Sequence, residues 1–468
     1  MKKILLLCMS VVASYTAVHA NNILVSNANI SGGNTTTHTA LINFDVSWEN
    51  SWRTSTNESN YDGAWIFVKF RKNGTTDWRH CTFAVTGTTA ATGATFTVPS
   101  DGKGAFIYRS TDGLGNVNFT GNSLTWNYGA DGILDNETVE IQVFALEMVY
   151  IPTGSYQLGS GGSETNAFYD GSTPTQPFLV TSDGVINLGT TPGTLNSNTV
   201  PTATGTVPAP FPAGYTAFWI MKYETSQQQY VDFLNHLDNA RATANNLSFP
   251  FNGTHPNLTA PAPERAMYTL SNQRLAALAD WSGLRPMTEL EFEKASRGYN
   301  TPAVPNEYVW GNTTMNPLTT VSNQGLTNEA VSTPANANAN IANSYNLLVR
   351  TGIFARPSGS DRVLSGGTYY GVMNMGDNAA EICFTIANAQ GRAVDGAVNG
   401  DGYLAASGNT DISIWTPFQA YGVRGSAYTL PLTYARTSDR TQANLYTATY
   451  GADASVNSNG GRMVRTAP

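Results

Sequence analysis

Side chains able to do acid–base, nucleophilic or redox chemistry are sparse in this 468-residue chain, which has five histidines and three cysteines. No histidine follows His255, and no His-x-His pair occurs, so iron held on imidazoles has no ligand pattern. Beyond the first twenty residues the only cysteines are Cys81 and Cys383. Two distant cysteines make neither a disulfide framework nor a metal-site spacing, and they read as buried free thiols. His80 stands beside Cys81 on an expected strand, where successive side chains point to opposite faces, so the two do not converge. The remaining titratable groups gather late: Asp411, Arg424, Arg436, Asp439, Arg440, Arg462 and Arg465, densest in the ARTSDR segment at 435–440. Ser426 and Ser438 have no histidine near them in sequence.

The stretch that must position these groups is Gly283–Asn300, GLRPMTELEFEKASRGYN. Gly283 can stop one helix in the left-handed conformation, and Pro286 blocks its continuation. Thr288 and Glu291 have capping-box spacing and start another helix. Leu290, Phe292 and Ala295 give it apolar surface, and Gly298 can end it. Upstream, Thr225 or Ser226 caps a helix whose Tyr230, Phe233, Leu234 and Leu237 fall on one buried face. His236 is expected on that helix's solvent side. Ser271–Ser282 reads as a further helix with Leu275, Leu278 and Ala279 inward. From Tyr308 onward the chain is dominated by Gly, Asn, Thr and Ser and reads as largely irregular. The polar insert 161–212 reads as long loops.

Residues 21–145 read as an all-β sandwich. Leu41–Trp48 alternates, with Ile42, Phe44, Val46 and Trp48 on one side. Ala64–Arg71 and Gly104–Ser110 are further strands, with turn clusters between. Trp48, Trp52, Trp65 and Trp78 read as core rather than as a sugar platform. Glu137–Ile151 is a long last strand leading into a second domain, 146–468, expected to fold separately. Residues 1–20 read as a signal peptide: Lys2 and Lys3, an apolar run at 4–13, and small residues before a cleavage point at Asn21. Export to a periplasmic, cell-surface or extracellular location is the expectation, with no membrane span. Only 12% of residues are charged and the formal net charge is −8, which argues against nucleic acid as a partner.

Several segments in order resemble those of the sulfatase-modifying-factor family, which includes the formylglycine-generating enzyme. They are EMVYIPTGSYQLGS (147–160), FWIMKYETSQQQYVDFLN (218–235), GLRPMTELEFEKASRG (283–298), GVMNMGDNAAEI (371–382), GVRGSAY (422–428) and GGRMVR (460–465). The resemblance covers about Glu147 to the C-terminus. It implies a C-type-lectin-like domain with few helices and much irregular chain, which after the N-terminal β-sandwich read above makes the chain α+β. It implies that the arginines of 435–440 stitch core loops together. It also implies a structural calcium at Asn374 and Glu381, through side-chain oxygens, and at Asp377 and Ala379, through backbone carbonyls. A second calcium near 335–345, at Asn340 or Asn343, is implied as well.

The family's copper-binding cysteines follow the segment matched by Gly425–Tyr428. Here 425–440 contains no cysteine, and Thr429, Leu430, Thr433 or Tyr434 cannot replace soft thiolates. No copper or iron is therefore expected. The reading is a non-catalytic exported protein that binds a protein or glycan ligand on a C-terminal lectin-like surface, within 403–450. The alternative is an enzyme of the same superfamily with an unrecognised site.

Overall fold

Alternation of apolar and polar residues builds the first half of the molecule as strands. The computed structural model describes residues 22–200, 204–246, 249–299, 301–356, 361–450 and 458–468; the expected signal peptide lies outside them. Six long strands come first: β1 (Leu24–Asn34), β2 (Thr39–Arg53), β3 (Tyr61–Lys72), β4 (Ala105–Arg109), β5 (Gly113–Trp126) and β6 (Val139–Ile151). β2 pairs with β1 and β5, and β3 with β4 and β6, all antiparallel. β2 and β3 meet at the single pair Arg53↔Tyr61. Ile42, Phe44, Val46 and Trp48 of β2 share one core with Ala64, Ile66, Val68 and Phe70 of β3, and Cys81 lies in it.

The sheet does not stop at the expected boundary. β6 pairs with β3 from Lys72↔Val139 to Tyr61↔Tyr150, and its last residues, Met148–Ile151, also pair with β7 (Phe218–Met221). Beyond β7 come β12 (Met463–Thr466) and β8 (Arg285–Pro286), giving the order β1-β2-β3-β6-β7-β12-β8. A boundary at 145/146 therefore falls inside β6. A smaller sheet holds β9 (Ala380–Phe384) between β10 (Tyr421–Arg424), antiparallel, and β11 (Asn459–Gly460), parallel.

The helices form where the capping signals stand. Ser226 and Gln229 make a capping box for α1 (Gln227–Asn235). Asp238 caps α2 (Asn239–Asn245), a short helix with no expectation behind it. Ser271 caps α3 (Asn272–Trp281), and Thr288 and Glu291 make the capping box of α4 (Glu289–Arg297). Gly283, with φ of 74°, turns the chain between α3 and α4. Insert 161–212 is more ordered than expected. Short antiparallel pairs such as Phe168–Asp170 with Leu195–Ser197 organise it, and Phe168, Leu188 and Phe211 enter the main core.

The two halves share that core. Trp65 and Phe67, on the second face of β3, pack with Trp219, Phe233 and Trp281. Trp65 Nε1 donates to Ser282 O at 2.8 Å, and Lys69 Nζ donates to Trp281 O at 2.7 Å and Gly402 O at 2.9 Å. This packing corrects the expectation for His236. Its ring lies 4.8 Å from Trp78 and 5.0 Å from Phe144, because the N-terminal half covers the side of α1 assigned to solvent. Burial lowers its pKa to about 4.

Cutting the chain before Glu147 would leave β7 with only a remnant of β6 and expose Trp219 and Trp281. The fragment 147–468 is expected to lack the cooperative thermal transition of the intact chain, with calorimetry as the check.

Candidate functional site

α4 is the scaffold on which the late-chain arginines converge. All nine of its residues are buried, including Glu289, Glu291 and Glu293. Buried carboxylates need partners, and each finds arginine. Arg285 spans both oxygens of Glu291, at 2.8 and 2.6 Å. Arg440 spans Glu289, its Nε at 2.7 Å and its second contact at 3.0 Å. Arg424 bridges Glu289 at 3.1 Å and Glu293 at 2.7 Å. Arg297 binds Glu293 at 3.0 Å and also pairs with Glu307. Burial pushes Glu289 and Glu293 up, but Arg440 beside the first and Arg424 beside the second outweigh it and hold both below the usual range.

The loop 425–440 after β10 wraps this network. Arg440 also donates to the carbonyls of Asn166 and Val200. Arg436 reaches Asn306 Oδ1 at 2.9 Å. Ser438 Oγ accepts from Arg297 at 2.7 Å, and Ser426 Oγ donates to Pro431 O at 3.1 Å. The guanidinium groups bind carbonyls and carboxylates; Ser438 Oγ also donates to Glu293 Oε2 at 3.3 Å, and among the described residues neither serine bonds a histidine. Asp439 accepts from the Thr441 N–H and does not join the α4 pairs. Asp411 instead lies with Asp280 and Asp401, remote from this loop in sequence and partners.

The residues assigned to calcium occupy one buried turn and the start of β9. Asn374 Oδ1 accepts from Gly352 N–H at 2.9 Å. Asp377 accepts from Asn340 N–H at 2.7 Å and from Asn374 Nδ2 at 3.2 Å. Ala379 N–H donates to Glu224 Oε1 at 2.9 Å. Glu381 gives both carboxylate oxygens to Arg462, its two Nε contacts both at 2.8 Å. Of the two asparagines considered for a second site, Asn340 joins this same cluster, whereas Asn343 N–H bonds Tyr428 O at 2.6 Å. Burial raises Asp377 to about 7 and lifts Glu224 and Glu381. Asn340 Oδ1 is buried without a partner among the described residues.

The donor set thus has two sides. Carboxylates outnumber the one guanidinium and an acceptor is unused, which suits a hard cation near Asp377, Asn374 and Asn340. At Glu381 a guanidinium already occupies both oxygens. Sequence reading missed Glu224 and Arg462 as members of this cluster. Each stands inside a quoted segment, MKYETS and GGRMVR, but nothing in either pairs it with 374–381.

The aromatic run 403–450 divides. Trp415, Tyr421 and Tyr446 are core residues, while Tyr403, Tyr428 and Tyr434 are partly exposed and Leu432 is exposed. Cys383 is a buried free thiol raised well above its usual range by burial, with Glu289 adding to the effect.

The family model for the sulfatase-modifying factor enzyme 1-like domain matches residues 136–465. A search of the curated proteins found no match.

The depressed glutamates give α4 a signed pH dependence. Their stabilisation is present above the unfolded glutamate pKa, about 4.3, and is lost as pH falls through the lower folded values. Glu289→Gln leaves Arg424 and Arg440 undercompensated in the interior, an expected loss of about 3–5 kcal/mol at pH 7. Denaturant titration at pH 7 and pH 3.5 checks this: the difference from the native chain shrinks at the lower pH.

Proposed function

Because the chain belongs to the sulfatase-modifying factor enzyme 1-like family, we propose that it is an exported, non-catalytic member that binds a protein or glycan ligand through its C-terminal surface. The observation that carries this reading is the composition of 425–440. Where family enzymes that use copper are expected to supply two thiolates, this chain has none, and no cysteine follows Cys383. Copper therefore does not fit the residues present; Arg440 and Ser438 here are engaged with α4, and Arg436 with Asn306. The exposed part of the same loop, with Leu432, Tyr428 and Tyr434, offers apolar and amphipathic contact area of the kind binding surfaces use. Incubating the protein with a cysteine peptide of the sulfatase type, copper and oxygen is expected to leave the thiol unchanged. Conversion to the aldehyde would overturn the reading.

Export rests on the leader-like residues 1–20, and N-terminal sequencing of exported material is expected to begin at Asn21.

Calcium at the 374–381 turn is part of the same proposal, supported by the surplus of buried carboxylates and the unused Asn340 oxygen. Asp377 and Asn374 hold the ion in this reading, with the Ala379 carbonyl, and Glu381 contributes through its pair with Arg462. A ligand that binds only the folded state stabilises it by about 2.7 kcal/mol at a hundredfold excess over Kd. Chelation is therefore expected to lower the melting temperature. Asp377→Asn is the discriminating variant, because Glu381→Gln breaks a buried ion pair whether or not calcium is bound. The native protein should respond to chelator and Asp377→Asn should not; a native chain that melts identically with and without chelator refutes the site.

A further inference from the structure

Lys222, Asp62 and Glu147 meet in the interior between the two halves of the molecule. Asp62 lies on β3, Glu147 on β6, and Lys222 directly after β7, so three neighbouring strands each supply one group. Lys222 Nζ lies 3.1 Å from Asp62 Oδ2 and 3.0 Å from Glu147 Oε2. All three side chains are almost fully excluded from solvent, Lys222 at 4% and Asp62 at 0% exposure. Aromatic rings close the site, with Nζ 5.0 Å from the Trp52 ring and 5.4 Å from Tyr223.

The Asp62 carboxyl is held in an asymmetric set of donors. Oδ1 accepts from Ser51 Oγ at 2.7 Å and from the Trp52 N–H at 3.0 Å. Oδ2, the oxygen nearer the amine, accepts from Trp48 Nε1 at 3.0 Å. Glu147 Oε1 is buried and has no partner among the described residues, which leaves one carboxyl oxygen available to carry a proton.

We propose that Lys222 and Asp62 condense to an intramolecular amide, with Glu147 as the proton carrier, covalently joining the N-terminal half to the family domain. The reactive form has Lys222 as the free amine, the former ammonium proton on Glu147, and Asp62 as the neutral acid, its proton taken up from water as the chain folds. Burial favours neutral forms over three charges, raising Asp62 and bringing Glu147 to about 7. Lys222 is itself held above its ordinary value, because Glu147, Tyr223 and Asp62 together outweigh burial, so the free amine is the scarce species and the reaction is slow.

Nζ adds to Cγ and the C–N bond forms. The developing negative charge falls on Oδ1, where the Trp52 N–H and Ser51 hydroxyl stabilise it. The C–Oδ2 bond then breaks. Glu147 gives its proton to the departing hydroxyl, which leaves as water, and takes one from the nitrogen. The products are one amide and one water, with Glu147 restored and nothing oxidised or reduced. Fixed contact between amine and carboxyl supplies the effective concentration that such a condensation needs, and the closed apolar surroundings keep out the water that would oppose it.

Intact-mass measurement of the purified full-length or leader-processed protein, denatured and reduced, tests this directly. The expected mass is lower than the composition requires by one water molecule. Proteolysis should yield one branched species joining the peptide containing Asp62 to that containing Lys222. Glu147→Gln is expected to restore the full mass. A native chain at its full compositional mass overturns the proposal, as does a water loss mapped to any other residue pair. Retained condensation in Glu147→Gln overturns the role of Glu147. The native-chain measurement decides the bond itself even where a variant does not fold.

Discussion

The family domain is organised by the neutralisation of a helix that has no solvent face. α4 carries glutamates at alternate positions, and burying them unpaired would cost more than the rest of the helix contributes. Four arginines from separate parts of the chain answer them: Arg285 before the helix, Arg297 at its end, and Arg424 and Arg440 from far downstream. Arg440 fixes the loop after β10, which has little ladder of its own, and Arg297 ties the helix end to Glu307. Arg440 carries the constraint further by binding the carbonyls of Asn166 and Val200 in the insert. The irregular chain is thus positioned by charge satisfaction where sheet and helix bonds are lacking.

The turn 374–381 repeats the same logic with a different balance. Around α4 the carboxylates and guanidiniums nearly match, and Glu289 and Glu293 titrate low. Around Asp377, three carboxyls face one arginine, and the carboxyls titrate high. The first arrangement is complete with protein groups alone, whereas the second retains unused acceptor capacity. The loop 425–440 belongs to the first arrangement through Ser438 and Arg440, which bond Glu293 and Glu289 of α4.

Local signals in the sequence were legible because their physics is local. The cap left open between Thr225 and Ser226, which falls at Ser226, the capping box at Thr288, the stop at Gly283 and the alternation of Leu41–Trp48 all depend on residues a few positions apart. The order of family-like segments placed the domain. Long-range pairing was not legible. Nothing near Glu381 specifies Arg462, and nothing on α1 announces that Trp78 and Phe144 will cover His236. Nor does the alternation of 137–151 disclose that its final residues are shared between neighbours from both halves. The pattern reports that a strand has a buried face, and leaves open which elements lie alongside it.

The shared strand β6 bears on how such a chain can be inherited. A β-rich module attached by a linker can be exchanged among genes, since a breakpoint in the linker leaves both products intact. Here the corresponding breakpoint falls within a strand whose hydrogen bonds serve both neighbours. A recombinant receiving a foreign N-terminal segment would inherit one edge of its central sheet without the register, the aromatic packing or the charges that match it. The N-terminal strands and the family domain are therefore expected to travel as a unit and to accumulate compensating substitutions across β3, β6 and β7.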